Sequence, residues 1–179
     1  SCGDCFYCKR NLSSRCERGQ LFGWRSRGQG LHGCQAELVR VPLADGTLLP
    51  LPENVSPELA LLLGDNFTTG YYCANMAEIE SDGCYVVVGC GTVGQLCTLA
   101  ASKLGAKQLF AFDVNPERAA LAESFGAVAL SDSGNLHETV YSASGGRGAD
   151  AVMELVGLPD APSLAYALVR PVVTISAIG

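Results

Sequence analysis

Charge is scarce in this 179-residue chain: 17% of its residues are Asp, Glu, Lys or Arg, with a net charge of −6. No cluster of Lys or Arg occurs, which argues against nucleic acid as a partner. Long apolar runs are also missing. Leu59 to Leu63 is among the longest, far short of the roughly 20 residues that cross a bilayer. No membrane association is expected. No charged-then-apolar leader precedes Ser1, so a cytoplasmic location is expected. Low charge with 48% hydrophobic residues excludes a disordered chain. Cysteine is plentiful instead, at nine residues, an odd number that suits a disulfide framework poorly. Cys34, Cys73, Cys84, Cys90 and Cys97 lie in apolar or glycine-rich context and read as small core residues. The other four crowd one end.

The strongest motif is Gly89-Cys90-Gly91-Thr92-Val93-Gly94. The β-branched run Tyr85 to Val88 enters it, and the helix-compatible run Gln95 to Ala100 leaves it. Asp113 ends the next apolar run, Leu109 to Phe112. Strand, glycine loop, helix, strand and terminal acid form, in this order, a dinucleotide-binding fingerprint. Gly89 permits a tight turn, Gly91 lets a pyrophosphate approach the backbone, and Gly94 lets the helix lie close to the strand. The helix N-terminus offers free N–H groups to phosphate, and Asp113 can accept from both ribose hydroxyls. A glycine-rich turn without ligand is the plainer alternative.

The two halves of the chain differ in pattern. Residues 1 to about 55 hold short strand-like runs broken by Gly, Pro, Asn and Ser. Gln35 to Val41 alternates like a half-buried strand, Asp45-Gly46 signals a turn, and Leu48 to Pro52 reads as an edge or connection. Ser56-Pro57 marks a helix start, and helices from Pro57 to about Met76 bridge the halves. From Gly83 onward, strands at about 84–89, 108–113, 127–130, 150–156 and 171–178 alternate with helices at about 93–105, 116–125, 135–143 and 160–169. That alternation predicts an α/β, doubly wound parallel sheet with five of the usual six strands visible. The expected organisation is 1–55, bridging helices over 56–82, and a nucleotide-binding domain over 83–179.

Cys2, Cys5, Cys8 and Cys16 follow C-x2-C-x2-C-x7-C. Four thiolates so spaced can close a tetrahedron around Zn²⁺ and leave no position for water, so the site would be structural. Disulfides or free thiols are the alternatives.

Taken together, the four-cysteine loop, the segment Gly64-Asp65-Asn66-Phe67-Thr68-Thr69-Gly70-Tyr71, the glycine loop and Gly145 to Val152 make the chain resemble the zinc-containing medium-chain alcohol dehydrogenases. The Asp65 segment is most similar to the formaldehyde-dehydrogenase-like branch. The resemblance implies a Rossmann sheet preceded by a remnant of a β-rich, GroES-like catalytic domain that carries the zinc loop. It implies Zn²⁺ and NAD as cofactors and hydride transfer between NAD(H) and a small-molecule alcohol or aldehyde. Asp65 would be a catalytic-zinc ligand, or else a helix-capping Asp. Thr69 would lie near the nicotinamide, or else be an ordinary helical Thr. Thr92 and Val93 belong to the phosphate-binding turn, Asp113 and Arg118 would hold the adenosine ribose, and Leu155-Val156-Gly157 with Ile178-Gly179 would line the cofactor groove. Glu154 reads as a strand-end acid.

His32 and His137 match no ligand position of the family. The family's further catalytic-zinc ligands, a Cys and a His-Glu pair, come before the zinc loop, so the chain reads as an internal fragment, expected to be inactive alone. A homo-oligomer is conceivable in the full-length form. The rival expectation is a non-catalytic nucleotide-binding or interaction module that retains the fold.

Overall fold

Cys84–Val88 (β3) is apolar at every position, and every position is buried. A strand of that kind needs cover on both faces, and the helices that follow supply it. A computed structural model describes residues 1–26 and 29–179. Two units divide at Asn54 and Val55.

In the second unit, Pro57–Leu63 (α1) starts at Ser56, whose hydroxyl accepts from the Leu59 N–H at 3.3 Å. Asn66–Met76 (α2) follows after Gly64-Asp65. Then β3, Thr92–Leu104 (α3), Gln108–Phe112 (β4), Pro116–Glu123 (α4), Val128–Leu130 (β5), Ser133–Ala143 (α5), Ala149–Glu154 (β6), Ala161–Leu168 (α6) and Val169–Ala177 (β7) alternate. Sequence reading placed these elements to within a few residues. Local chemistry sets several ends: Asn115 Oδ1 caps α4 at the Glu117 N–H (2.9 Å), Asp132 caps α5 at the Gly134 N–H (2.9 Å), and Gly105 closes α3 at φ +111°.

The five strands run parallel in the order β5-β4-β3-β6-β7. Alternation in β3 sorts the core into two layers. Tyr85 and Val87 pack with Cys73 and Ala74 of α2, Cys97 and Ala101 of α3, and Ala122 of α4. Cys84, Val86 and Val88 face Leu136 and Val140 of α5 with Ala165 and Leu168 of α6. Each fully buried Val or Leu contributes about 1.5–3 kcal/mol of transfer free energy. This is the doubly wound Rossmann architecture. Its strand order reverses beside β3, so the loops after β3 and β6 open one crevice.

Gly70 lets α2 lie against α3. A Cβ there would stand 2.7 Å from the Cys97 nitrogen and 2.9 Å from the Val93 oxygen.

The first unit is built from short turns. Helical 3-10 turns occupy Cys8–Arg10, Ser13–Arg15 and Ala44–Gly46, and Arg25–Ser26 (β1) pairs antiparallel with Gln29–Gly30 (β2). Two expectations fail here. Gln35 to Val41 forms no strand; Gln35 to Arg40 is exposed, with Leu38 91% exposed, and Val41 is half-buried. Alternation predicts a strand only where a neighbour completes the ladder, and none of the described residues does so. Cys34 is likewise exposed and is not a core residue, whereas Cys73, Cys84, Cys90 and Cys97 are buried. Among the described residues no helix is long and apolar enough to cross a membrane.

Candidate functional site

The chain leaves β3 through Gly89 at φ +95°, a conformation that favours glycine. A side chain at Gly89 would meet Val156 Cγ2 at 2.7 Å and the Leu155 carbonyl carbon at 3.1 Å, and one at Gly94 would overlap the Gly89 carbonyl oxygen. Both glycines are therefore explained by packing. Gly91 is not. Its backbone is ordinary (φ −68°, ψ −173°), and an added Cβ would have nothing within 4 Å. Neither conformation nor packing demands glycine there. Unfilled space beside the backbone is what a closely approaching ligand requires. Gly91 is also the N-cap of α3 and has no side chain to cap it, so the first N–H groups, at Thr92 and Val93, are left for an external acceptor.

Asp113 stands at the end of β4, 8% exposed. Its Oδ2 accepts from the Cys90 N–H and its Oδ1 from the Asn115 N–H, both at 2.8 Å. The carboxylate thus ties the glycine loop to the start of α4. About four lone-pair positions exist on a carboxylate, so acceptor capacity remains for hydroxyl donors. Arg118, exposed, lies in the first turn of α4. A groove of about 430 Å³ runs here, lined by Gly91, Thr92, Gln95, Leu96, Arg118 and Leu121 among others.

The loop after β6 closes the other side. Leu155 N–H donates to the Val88 carbonyl at 2.9 Å. Glu154, 2% exposed, accepts from the Val156 and Gly157 N–H groups at 2.7 and 3.0 Å, and its own carbonyl accepts from Ile178 N–H at 3.0 Å. A Cβ on Gly157 would stand 2.7 Å from the Gly179 carbonyl carbon. Gly89, Leu155, Val156, Gly157, Ile178 and Gly179 are thereby gathered at one end of the sheet.

Asp65 is the residue before α2 and makes no side-chain cap to the backbone. Its Oδ1 accepts instead from the Thr69 hydroxyl at 3.1 Å. Thr69 precedes Gly70, which abuts the first two turns of α3. Among the described residues, no group of three or more ligating side chains includes Asp65.

Cys2, Cys5, Cys8 and Cys16 do form such a group: their sulfurs all lie within 4.8 Å of one another, with Cys2 and Cys8 Sγ 3.9 Å apart. Sulfurs at about 2.3 Å from a central ion would stand about 3.8 Å apart, so these residues fit a tetrahedral metal. Backbone N–H groups, those of Cys8 and then Glu17, hold the Cys5 thiol down to about 6. A hydrogen bond with the Asp4 side chain pushes Cys2 up to about 12, and Asp4, held low by Cys2 and Arg18, ion-pairs with Arg18. His32 and His137 are exposed, and His137 stacks on Tyr141 at 4.1 Å.

Sequence reading understates one contributor and misses another. Glu154 is more than a strand-end acid, since it shapes the 155–157 turn. The readable signal was an acid ending an apolar strand, as at Asp113. Gln95 is a buried amide whose Nε2 donates to the Cys90 and Arg118 carbonyls at 3.0 and 2.7 Å. Its signal was a long amide side chain directly after the last glycine of the loop.

Comparison with known proteins adds to this geometry. A family model described as "Zinc-binding dehydrogenase" matches residues 92–179. The chain is 43% identical over 188 residues to zinc-type alcohol dehydrogenase B of Aspergillus flavus, covering all of this chain and 43% of the relative. It is 41% identical over 188 residues to a medium chain reductase/dehydrogenase of an Acremonium species, covering all of this chain and 63% of that protein. Among solved structures, alcohol dehydrogenase from Thermus sp. ATN1 superposes with a TM-score of 0.91 at 37% identity, over 100% of this chain and 53% of the other. The chain thus spans roughly half the length of such relatives.

Proposed function

The chain belongs to the zinc-containing medium-chain dehydrogenase family, and from that premise we propose that it serves a zinc-dependent oxidoreductase that moves hydride between NAD(H) and a small-molecule alcohol or aldehyde. The observation that carries the cofactor part is the open space at Gly91, at the uncapped start of α3, beside an acid-terminated strand. Gly91 would leave room for the pyrophosphate, and the N–H groups of Thr92 and Val93 would donate to it. Gly89 and Gly94 keep the turn and the helix close enough for that approach.

Asp113 accepts from the adenosine hydroxyls with its remaining lone pairs, and Arg118 borders the same ribose. A carboxylate at that position repels a 2′-phosphate, so NAD(H) is favoured over NADP(H). Leu155, Val156 and Ile178 line the continuation of the groove, whose shape Glu154 maintains through the 155–157 turn. When bound, the nicotinamide exchanges hydride while a catalytic zinc polarises the alcohol or carbonyl oxygen. Asp65 is the residue of this chain that fits a ligand role there: Thr69 fixes one carboxylate oxygen and leaves the other free. Thr69 itself borders the nicotinamide. Cys2, Cys5, Cys8 and Cys16 hold a second, structural zinc that braces their loop.

The intact protein, zinc-loaded, should reduce NAD⁺ with at least one primary alcohol, and Asp65→Ala should abolish turnover while leaving NADH binding in place. NADH binding with no turnover across alcohols and aldehydes would instead favour a nucleotide-binding module without chemistry.

A further inference from the structure

Gln95 has no obvious business inside the fold. It is 7% exposed, on a helix whose other buried residues are Gly94, Cys97, Thr98, Ala100 and Ala101. Its Nε2 makes two hydrogen bonds, to the Cys90 carbonyl at 3.0 Å and the Arg118 carbonyl at 2.7 Å. Its Oε1 makes none: among the described residues it is the one buried side-chain polar atom without a partner. A stranded buried acceptor costs stability. Leucine or methionine would fill the same volume without a stranded oxygen, so volume alone does not explain the amide; what they would lose are its two bonds.

The two bonds point to another use. Cys90 is held from both sides, its N–H by Asp113 Oδ2 at 2.8 Å and its carbonyl by Gln95. The Cys90 carbonyl and the Gly91 N–H belong to one planar, trans peptide unit. Fixing the carbonyl toward Gln95 therefore aims the Gly91 N–H in the opposite direction. The second bond ties the same side chain to the first turn of α4, which carries Arg118 and forms the facing wall of the groove.

We infer that Gln95 is a positioning residue that presets the nucleotide groove, fixing the direction of the Gly91 N–H and the spacing between the glycine loop and α4 before ligand arrives. The inference rests on the nucleotide reading proposed above. The ligand portion affected is the adenosine diphosphate half, since that half meets both walls. Pre-set donors spare the ligand the cost of ordering the loop.

The test is a pair of apolar variants, Gln95→Met and Gln95→Leu, in the intact protein, with Kd for ADP and for NADH measured alongside the thermal midpoint. Both variants should weaken ADP and NADH by the same factor, roughly five- to tenfold for two lost orienting bonds, with the midpoint shifted little, because the Cys90 carbonyl loses its donor as the stranded oxygen is removed. Where turnover is measurable, KM for the cofactor rises and kcat holds. A lowered midpoint with unchanged affinities, or a variant that fails to fold, would make Gln95 a structural brace and overturn the inference. Unchanged affinity and midpoint together would do the same. If the unaltered protein binds neither ADP nor NADH, the nucleotide reading fails and carries the inference down with it, a result recognisable before any variant is made.

Discussion

Alanine at Gly91 should leave the fold intact and cripple the nucleotide site, while alanine at Gly94, three residues on, should destabilise the fold itself. Gly91 has a backbone that any residue adopts and a Cβ position with nothing within 4 Å. Gly→Ala gains about 0.4–1 kcal/mol through the unfolded chain and loses a similar amount because alanine is a poor N-cap for α3, so Tm should change little. The new methyl occupies the space that the pyrophosphate needs. Displacing the phosphate from even one charge-assisted N–H contact costs about 1.5–3 kcal/mol, or roughly 10- to 150-fold in affinity.

At Gly94 the methyl would overlap the Gly89 carbonyl oxygen, which is backbone and cannot swing aside. Helix and strand must separate, at about 1–3 kcal/mol or more, and Tm should fall by several degrees. Thermal unfolding with and without NADH, together with a fluorescence titration, reads both effects. Gly91→Ala protein that binds NADH as tightly as the unaltered protein would refute the placement of the phosphates.

Three further outcomes are expected. Metal analysis of anaerobically purified protein should give about one zinc for the four-cysteine loop, lost in Cys5→Ser and Cys8→Ser; metal-free protein with an intact loop would contradict the assignment. Asp113→Asn should narrow the preference for NADH over NADPH by about tenfold and also lower Tm, because one of its two backbone N–H partners loses its acceptor; an unchanged cofactor ratio would show that Asp113 serves only the loop. For Asp150, burial works to raise the carboxyl, but the Cys84 N–H and Arg170 outweigh it and hold the group below its ordinary value. A depressed folded value means stability present above the unfolded value, near 3.9, and lost as pH falls through the folded one. Asp150→Asn should thus lower Tm at neutral pH, with the gap closing below about pH 4; a gap that persists at pH 2 would refute the ion-pair account.

The α/β half was legible because its signals are local and redundant. Tyr85 to Val88 is an unbroken buried strand, Asn115-Pro116 and Ser56-Pro57 are start signals, and Gly105 is a stop. Each agrees with the alternation around it. The first unit gave less. Gln35 to Val41 alternates as a strand would, yet whether a segment pairs depends on a neighbour, which no local pattern encodes. Cys34 looked like its buried namesakes for the same reason. At the candidate site, spacing drew out Gly89, Gly91, Gly94, Asp113 and the four cysteines, and the structure gathers the first four where β3 and β4 end and brings the four sulfurs together. Gln95 and Glu154 act by bonding backbone groups brought near by the fold, Arg118 and Cys90 in one case and the 155–157 turn in the other. Only coordinates expose such roles.

The central claim is a nucleotide site at the glycine loop that prefers NAD(H). Calorimetric titration of the intact protein with NADH and, separately, NADPH tests it most directly. Saturable binding of one NADH per chain, tighter than NADPH and weakened by Gly91→Ala, is the predicted result. No NADH binding, or NADPH binding equal to or tighter than NADH, would contradict it.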